Sequence, residues 1–209
     1  MIKLEQRWKL LWDSLGISQR TAPSFEGLER YYNAQGRFYH VLNHIGNGLV
    51  ELDFANRVGI VEYPKPLELV WWHHDYEYNS RKKDNEEKSW EKLSDELIKY
   101  GLFESIGDKC RIWTLDTKHI QTPKTNDGKI IVDIDLSIFG KSEEEFDEYE
   151  ENIKKEYSWV EEKDYRKGRR EILEGFLSRK NIYHTEYFRD KYQDRAKENL
   201  KRSIEKLRD

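Results

Sequence analysis

Apolar side chains recur at steps of three and four residues along most of this chain, a period that restricts it to packed helices. Leu4, Trp8, Leu11, Trp12 and Leu15 mark one face of a helix over 3–15. A second helix is expected over 24–34 behind Pro23, and a third over 37–54, where Leu42, Ile45, Leu49 and Leu52 form the stripe. Pro64 and Pro66 suit the first turn of a buried helix running through LELVWWHHDYEY, with a strand as the less favoured alternative. Trp90, Leu93, Leu97 and Ile98 align on a helix over 86–100 that Gly101 stops, and a further helix covers 103–119. QTPKTNDGK reads as a loop, and the apolar run IIVDIDLSIF that follows it is compatible with helix or strand. Ser142 caps an acidic-fronted helix, and helices over 161–178 and 186–207 complete the chain. The expectation is an all-α, single-domain helical bundle over 1–209, with chemistry concentrated in 37–135 and supporting helices in 142–207.

Composition narrows the function. With 209 residues and 36% hydrophobic content the chain can bury one substantial core, to which 7 Trp, 13 Tyr and 8 Phe contribute large rings. Core packing is the default role for those rings. The 37 basic and 41 acidic side chains leave a net charge of −4, which argues against duplex nucleic acid as a partner. No run approaches 18 apolar residues and MIKLEQRWKLLWDSLG is amphipathic, so no membrane partner and a soluble, cytoplasmic location are expected. Cys110 stands alone, which removes disulfide scaffolds and zinc–thiolate clusters. Any metal must then be held by nitrogen and oxygen.

Those donors occur in three short clusters. In YHVLNH, His40 and His44 are four residues apart; on a continuous helix they share a face, with Arg37 one turn earlier. In WWHHDY, His74 and Asp75 pair an imidazole with a carboxylate, a donor set suited to divalent cations. Asp133 and Asp135 interrupt an apolar run, where an unpaired carboxylate is costly to bury. A helix points the two apart and a strand points them to one face; Asp135 is favoured as the ligand, although spacing alone does not choose.

Taken in order, His44, His74-Asp75 and Asp135 resemble the HD superfamily of metal-dependent phosphohydrolases, whose pattern is a histidine, a His-Asp doublet and a distant aspartate. RFYHVLNH, LVWWHHDYEYN, DNEEKS, TKH, DIDLSIFG, KKEY and GRREILEGFL look most like a small group of predicted HD phosphohydrolases, from about residue 37 to the C-terminal helices. YHVLNH is also similar to the YHNxxH element of cyclic-nucleotide phosphodiesterases, and DLS to their distal aspartate segment. The resemblance implies a metal set of His44, His74, Asp75 and Asp135, with Asp75 also catalytic. It makes His40 a proton donor or phosphate contact, while Arg37 supplies a charge-assisted contact. His119, Asn85, Glu86 and Asp133 are supporting candidates, and Lys82 and Lys83 weaker ones for phosphate steering. The implied reaction is hydrolysis of a small phosphorylated metabolite or nucleotide, as phosphomonoester or phosphodiester, with Mn or Mg as cofactor and Fe, Ni or Zn compatible with the same donors. The alternative is a non-catalytic, metal-containing helical protein that binds a ligand or regulates a partner.

Overall fold

Ten α-helices and one 3-10 turn account for the regular structure in the computed structural model, which describes residues 3–208. Among the described residues there is no β-strand, as the helical period requires, and no helix is long and apolar enough to cross a membrane. The chain divides into two compact units, residues 1–131 and 132–209.

The first unit holds α1 (Leu4–Ser14), α2 (Phe25–Tyr32), α3 (Leu42–Arg57), α4 (Pro64–His73), α5 (Asn85–Lys99), α6 (Phe103–Asp116) and the start of α7 (Asn126–Asp135). Helix α4 is its centre. Leu67, Leu69, Val70, Trp71, Trp72 and His73 are all fully buried, so α4 is apolar around most of its circumference and packs against α1, α3, α5 and α6. Trp8 meets Trp12 and Trp72 edge-on at 5.6 and 5.4 Å between ring centroids, an arrangement that aligns ring edges with ring faces. Arg7 ties α1 to both neighbours, donating from Nη1 to Asp53 and from Nε to Glu68 at 2.7 Å each.

Several boundaries differ from the sequence expectation, among them the end of α4, which stops at His73 rather than running on through Tyr78. Helix α6 ends at Asp116 rather than 119, because His119 adopts a left-handed backbone (φ 58°) that a helix does not accommodate. Helix α7 begins at Asn126, inside the expected loop. Thr125 accepts the Gly128 N–H at 3.0 Å, and Asp127 accepts the amides of Glu62 and Tyr63 at 2.9 and 2.8 Å, in front of α4. The ambiguous IIVDIDLSIF run is therefore helical, and it tightens into a 3-10 turn over Leu136–Gly140.

Against α7, Asp116 buries its Oδ2 with no hydrogen-bond partner, so close to Gly128 that a Cβ there would lie 2.3 Å away. Burial pushes its carboxyl up to about 6. A carboxyl raised above its unfolded value of about 4 stabilises the fold below pH ~4, and that contribution is lost as pH rises through about 6. Asp116→Asn is thus expected to be more stable than wild type at pH 7.5, by on the order of 1 kcal/mol after solvent screening, and to show no such gain at pH 4. Urea unfolding at the two pH values measures this; an equal difference at both would reject it.

In the second unit, α8 (Glu143–Glu156), α9 (Glu162–Leu177) and α10 (Glu186–Lys206) surround the 3-10 turn. Ser142 and Glu145 form the expected reciprocal cap of α8. Asn199 on α10 donates to the carbonyls of Phe139 and Lys141 at 2.9 and 3.1 Å, which satisfies the acceptors left open at the end of the turn. Arg169, nearly buried on α9, pairs with Glu150 and donates to the Tyr149 hydroxyl at 2.8 Å.

Candidate metal centre

Helix α3 starts at Leu42, five residues later than its periodicity suggests, and Val41 before it is extended (φ −121°, ψ 176°). Arg37, His40 and His44 therefore do not occupy successive turns of one helix, which corrects the expected shared face. Tertiary bonds decide the matter. The Arg37 guanidinium donates to the carbonyls of Asp75 (2.7 Å), Tyr76 (2.8 Å) and His40 (3.2 Å), and the Tyr32 and Tyr78 rings lie 5.2 and 5.6 Å from its centre. Charge-assisted bonds to carbonyls, in a buried setting, outweigh the small propensity for one more helical turn.

His44 sits in the first turn of α3, and His74 caps α4 with Asp75 just beyond. The two helices come together because α3 carries Gly48 where Trp71 of α4 crosses it: a Cβ there would fall 1.9 Å from the indole. The same indole donates its N–H to the Ile45 carbonyl at 2.9 Å. Trp71 also stacks on His74 at 4.3 Å and lies 5.0 Å from His44, so one side chain sets both the helix spacing and the ring orientations.

At this junction His44, His74 and Asp75 each direct one donor atom to a common point, all within 4.8 Å of one another. The His44 and His74 Nε2 atoms are 3.2 Å apart, and Asp75 Oδ2 lies 3.0 Å from the His74 nitrogen and 3.5 Å from the His44 nitrogen. Donors about 2.1 Å from one cation, at angles of roughly 90–110°, are separated by about 3.0–3.4 Å, so this triangle has the dimensions of three adjacent ligands. Protonation agrees. His74 Nδ1 faces the Trp71 carbonyl at 2.8 Å, and a carbonyl only accepts, so Nδ1 keeps its hydrogen; Nε2 then donates to Asp75 when the ring is protonated and offers a lone pair to the cluster when it is neutral. Burial acts to raise the Asp75 carboxyl, but His74, His40 and His44 together hold it well below the usual carboxylate range. The residues fit a divalent cation.

The other sequence candidates occupy distinct positions. His40 is half-buried, stacks on Tyr78 at 4.0 Å and lies 6.0 Å from the His44 ring, beside the cluster but outside it. His73 points away into the core and bonds Leu69 and Glu96, as the 100° turn between consecutive helical residues dictates. Glu86, in the first turn of α5, is raised by burial and by the charge of Asp75, against the pull of its own amide and of Lys118, whose Nζ is 3.9 Å away. Asn85 neither caps α5 nor reaches the cluster: its side chain bonds the Asn79 backbone twice, at 3.0 and 3.2 Å, and fixes the loop behind the His-Asp doublet. His119 lies in the turn after α6, and Lys82 and Lys83 are exposed.

Of the two distal aspartates, Asp133 is committed elsewhere. In the second unit its carboxylate accepts from the amides of His184 (2.7 Å) and Thr185 (2.8 Å) and from the Thr185 hydroxyl (2.7 Å). Burial raises it to about 6 even so. Asp135 closes α7, is half-buried in that unit and acts electrostatically on Tyr149. Two contributors were not singled out from sequence: Trp71, hidden among apolar neighbours, and Tyr39, whose hydroxyl lies 3.1 Å from His44 Nδ1. Their place in the motifs beside the candidate histidines was the only signal.

No protein-family model, curated protein or solved structure matches the chain.

Proposed function

We propose that this chain is a divalent-metal-dependent phosphohydrolase acting on a small phosphorylated metabolite or nucleotide. The observation that carries the reading is the nitrogen–nitrogen–oxygen triangle of His44, His74 and Asp75, with sides of 3.0–3.5 Å, beside the half-buried His40. Mn or Mg is the preferred cation; when bound, a divalent ion polarises a phosphoryl oxygen and makes water a stronger nucleophile near neutral pH. His40, when protonated, gives its proton to the leaving oxygen; its stack on Tyr78 fixes the ring plane for that transfer. Arg37 acts as a positioning residue, because its Nη1 donates to the carbonyls of His40 and Asp75 and holds the two in register.

The test is a metal-by-substrate screen for phosphate release, covering nucleoside mono- and triphosphates, cyclic nucleotides, dinucleotides and simple phosphate esters. Asp75→Ala removes one edge of the triangle and is expected to lose bound cation and more than about 100-fold of metal-dependent turnover, while His40→Ala should keep the cation and lose turnover. Metal content and activity both unchanged in Asp75→Ala would overturn the proposal. Firm metal binding in wild type with no turnover on any class would favour the non-catalytic reading.

A further inference from the structure

Each imidazole in the cluster presents Nε2 to the common point, and each has a partner on Nδ1. For His74 that partner is the Trp71 carbonyl at 2.8 Å; for His44 it is the Tyr39 hydroxyl at 3.1 Å. The two differ in kind, since a carbonyl accepts only, whereas a hydroxyl both donates and accepts. A neutral imidazole that gives its Nε2 lone pair to a cation must carry its hydrogen on Nδ1, so the Tyr39 oxygen would accept there. Tyr39 cannot drift from this position easily. It sits between Arg37, which is bonded to three backbone carbonyls, and Val41, whose amide donates to the Tyr39 carbonyl at 2.8 Å. Its ring also packs against His44 at 4.8 Å and against His40 edge-on at 5.1 Å.

We propose that Tyr39 is a positioning residue for the cation: its hydroxyl accepts the His44 Nδ1 hydrogen and so fixes both the tautomer and the ring plane that aim Nε2 at the cluster. This rests on the metal-centre reading and extends it to a residue outside the ligand set. The inference concerns cation uptake and is independent of which substrate is turned over.

The decisive variant is Tyr39→Phe, which keeps the ring and its contacts and deletes one oxygen. Calorimetric titration with Mn and with Zn is expected to show affinity 10- to 100-fold weaker than wild type, at an unfolding temperature within about 2 °C of it. Nitrogen-15 NMR of the histidine rings supplies a signature that a merely structural role would not move: with cation at saturation, the His44 Nδ1 resonance should shift between wild type and Tyr39→Phe while the His74 Nδ1 resonance stays in place. Affinity within threefold of wild type, or an unmoved His44 resonance, would overturn the role of Tyr39 and leave the metal centre standing. A wild-type chain that takes up neither cation would remove the metal centre and this inference with it.

Discussion

Gly48→Ala is expected to destabilise the first unit by about 3 kcal/mol or more and to weaken cation binding, although alanine is the better helix former. On an open helix face the exchange would gain up to about 1 kcal/mol. Here the new methyl would sit 1.9 Å from the Trp71 ring, and that ring has nowhere to go: it is fully buried, bonded to the Ile45 carbonyl and stacked on His74. Overpacking against a rigid partner costs about 1–3 kcal/mol or more, so the clash wins over propensity. Relief requires α3 to move off α4, which carries His44 away from His74 and opens the 3.2 Å edge of the triangle. Gly46→Ala is the internal control. It lies on the same helix two residues earlier, and its added carbon would meet only Leu4, at 3.8 Å, an ordinary contact. Urea unfolding should show Gly46→Ala neutral to slightly stabilised and Gly48→Ala strongly destabilised, with calorimetric cation affinity reduced only in the latter. Similar behaviour of the two variants would refute the account of how the centre is assembled.

The same contrast separates what the sequence discloses from what it conceals. Helical stripes such as Trp8, Leu11 and Trp12, or Leu93 and Leu97, are local properties, and the helices they announce are present to within a few residues. The candidate metal-holding residues His44, His74 and Asp75 were legible because nitrogen and carboxylate donors stand out in apolar surroundings. Boundaries set by distant partners were not legible. The segment 37–41 has helical spacing, yet Arg37 trades a helical turn for the carbonyls of residues 75 and 76, which no local window contains. TNDG reads as a loop because Asn, Asp and Gly favour turns, but here Thr125 and Asp127 act as caps, the one for α7 and the other for the backbone in front of α4. Gly48 itself looked like an unremarkable glycine within a helix, since its purpose is the indole across from it.

Asp133→Ala carries the second large effect, about 3 kcal/mol of destabilisation in the second unit at pH 7.5. The carboxylate is fully buried and accepts three hydrogen bonds at 2.7–2.8 Å from the His184 and Thr185 amides and the Thr185 hydroxyl. Those amides stand at the start of α10, where a helix leaves donors without partners of its own. Removing their acceptor strands two amides, each worth about 1–3 kcal/mol, and adds a small cavity. Thr185→Val removes one hydroxyl and should cost only about 1 kcal/mol, and His184→Ala should cost less again through this network, because His184 enters it by its backbone amide alone. The cost of Asp133→Ala should be larger still at pH 4. The folded carboxyl, raised to about 6, holds a proton that an unfolded chain releases above about 4, so wild type gains stability below that range and loses it as pH rises through about 6. Denaturant midpoints for the three variants at the two pH values measure the ranking; a Thr185→Val loss equal to that of Asp133→Ala would place the stabilisation in the hydroxyl rather than in the buried carboxylate.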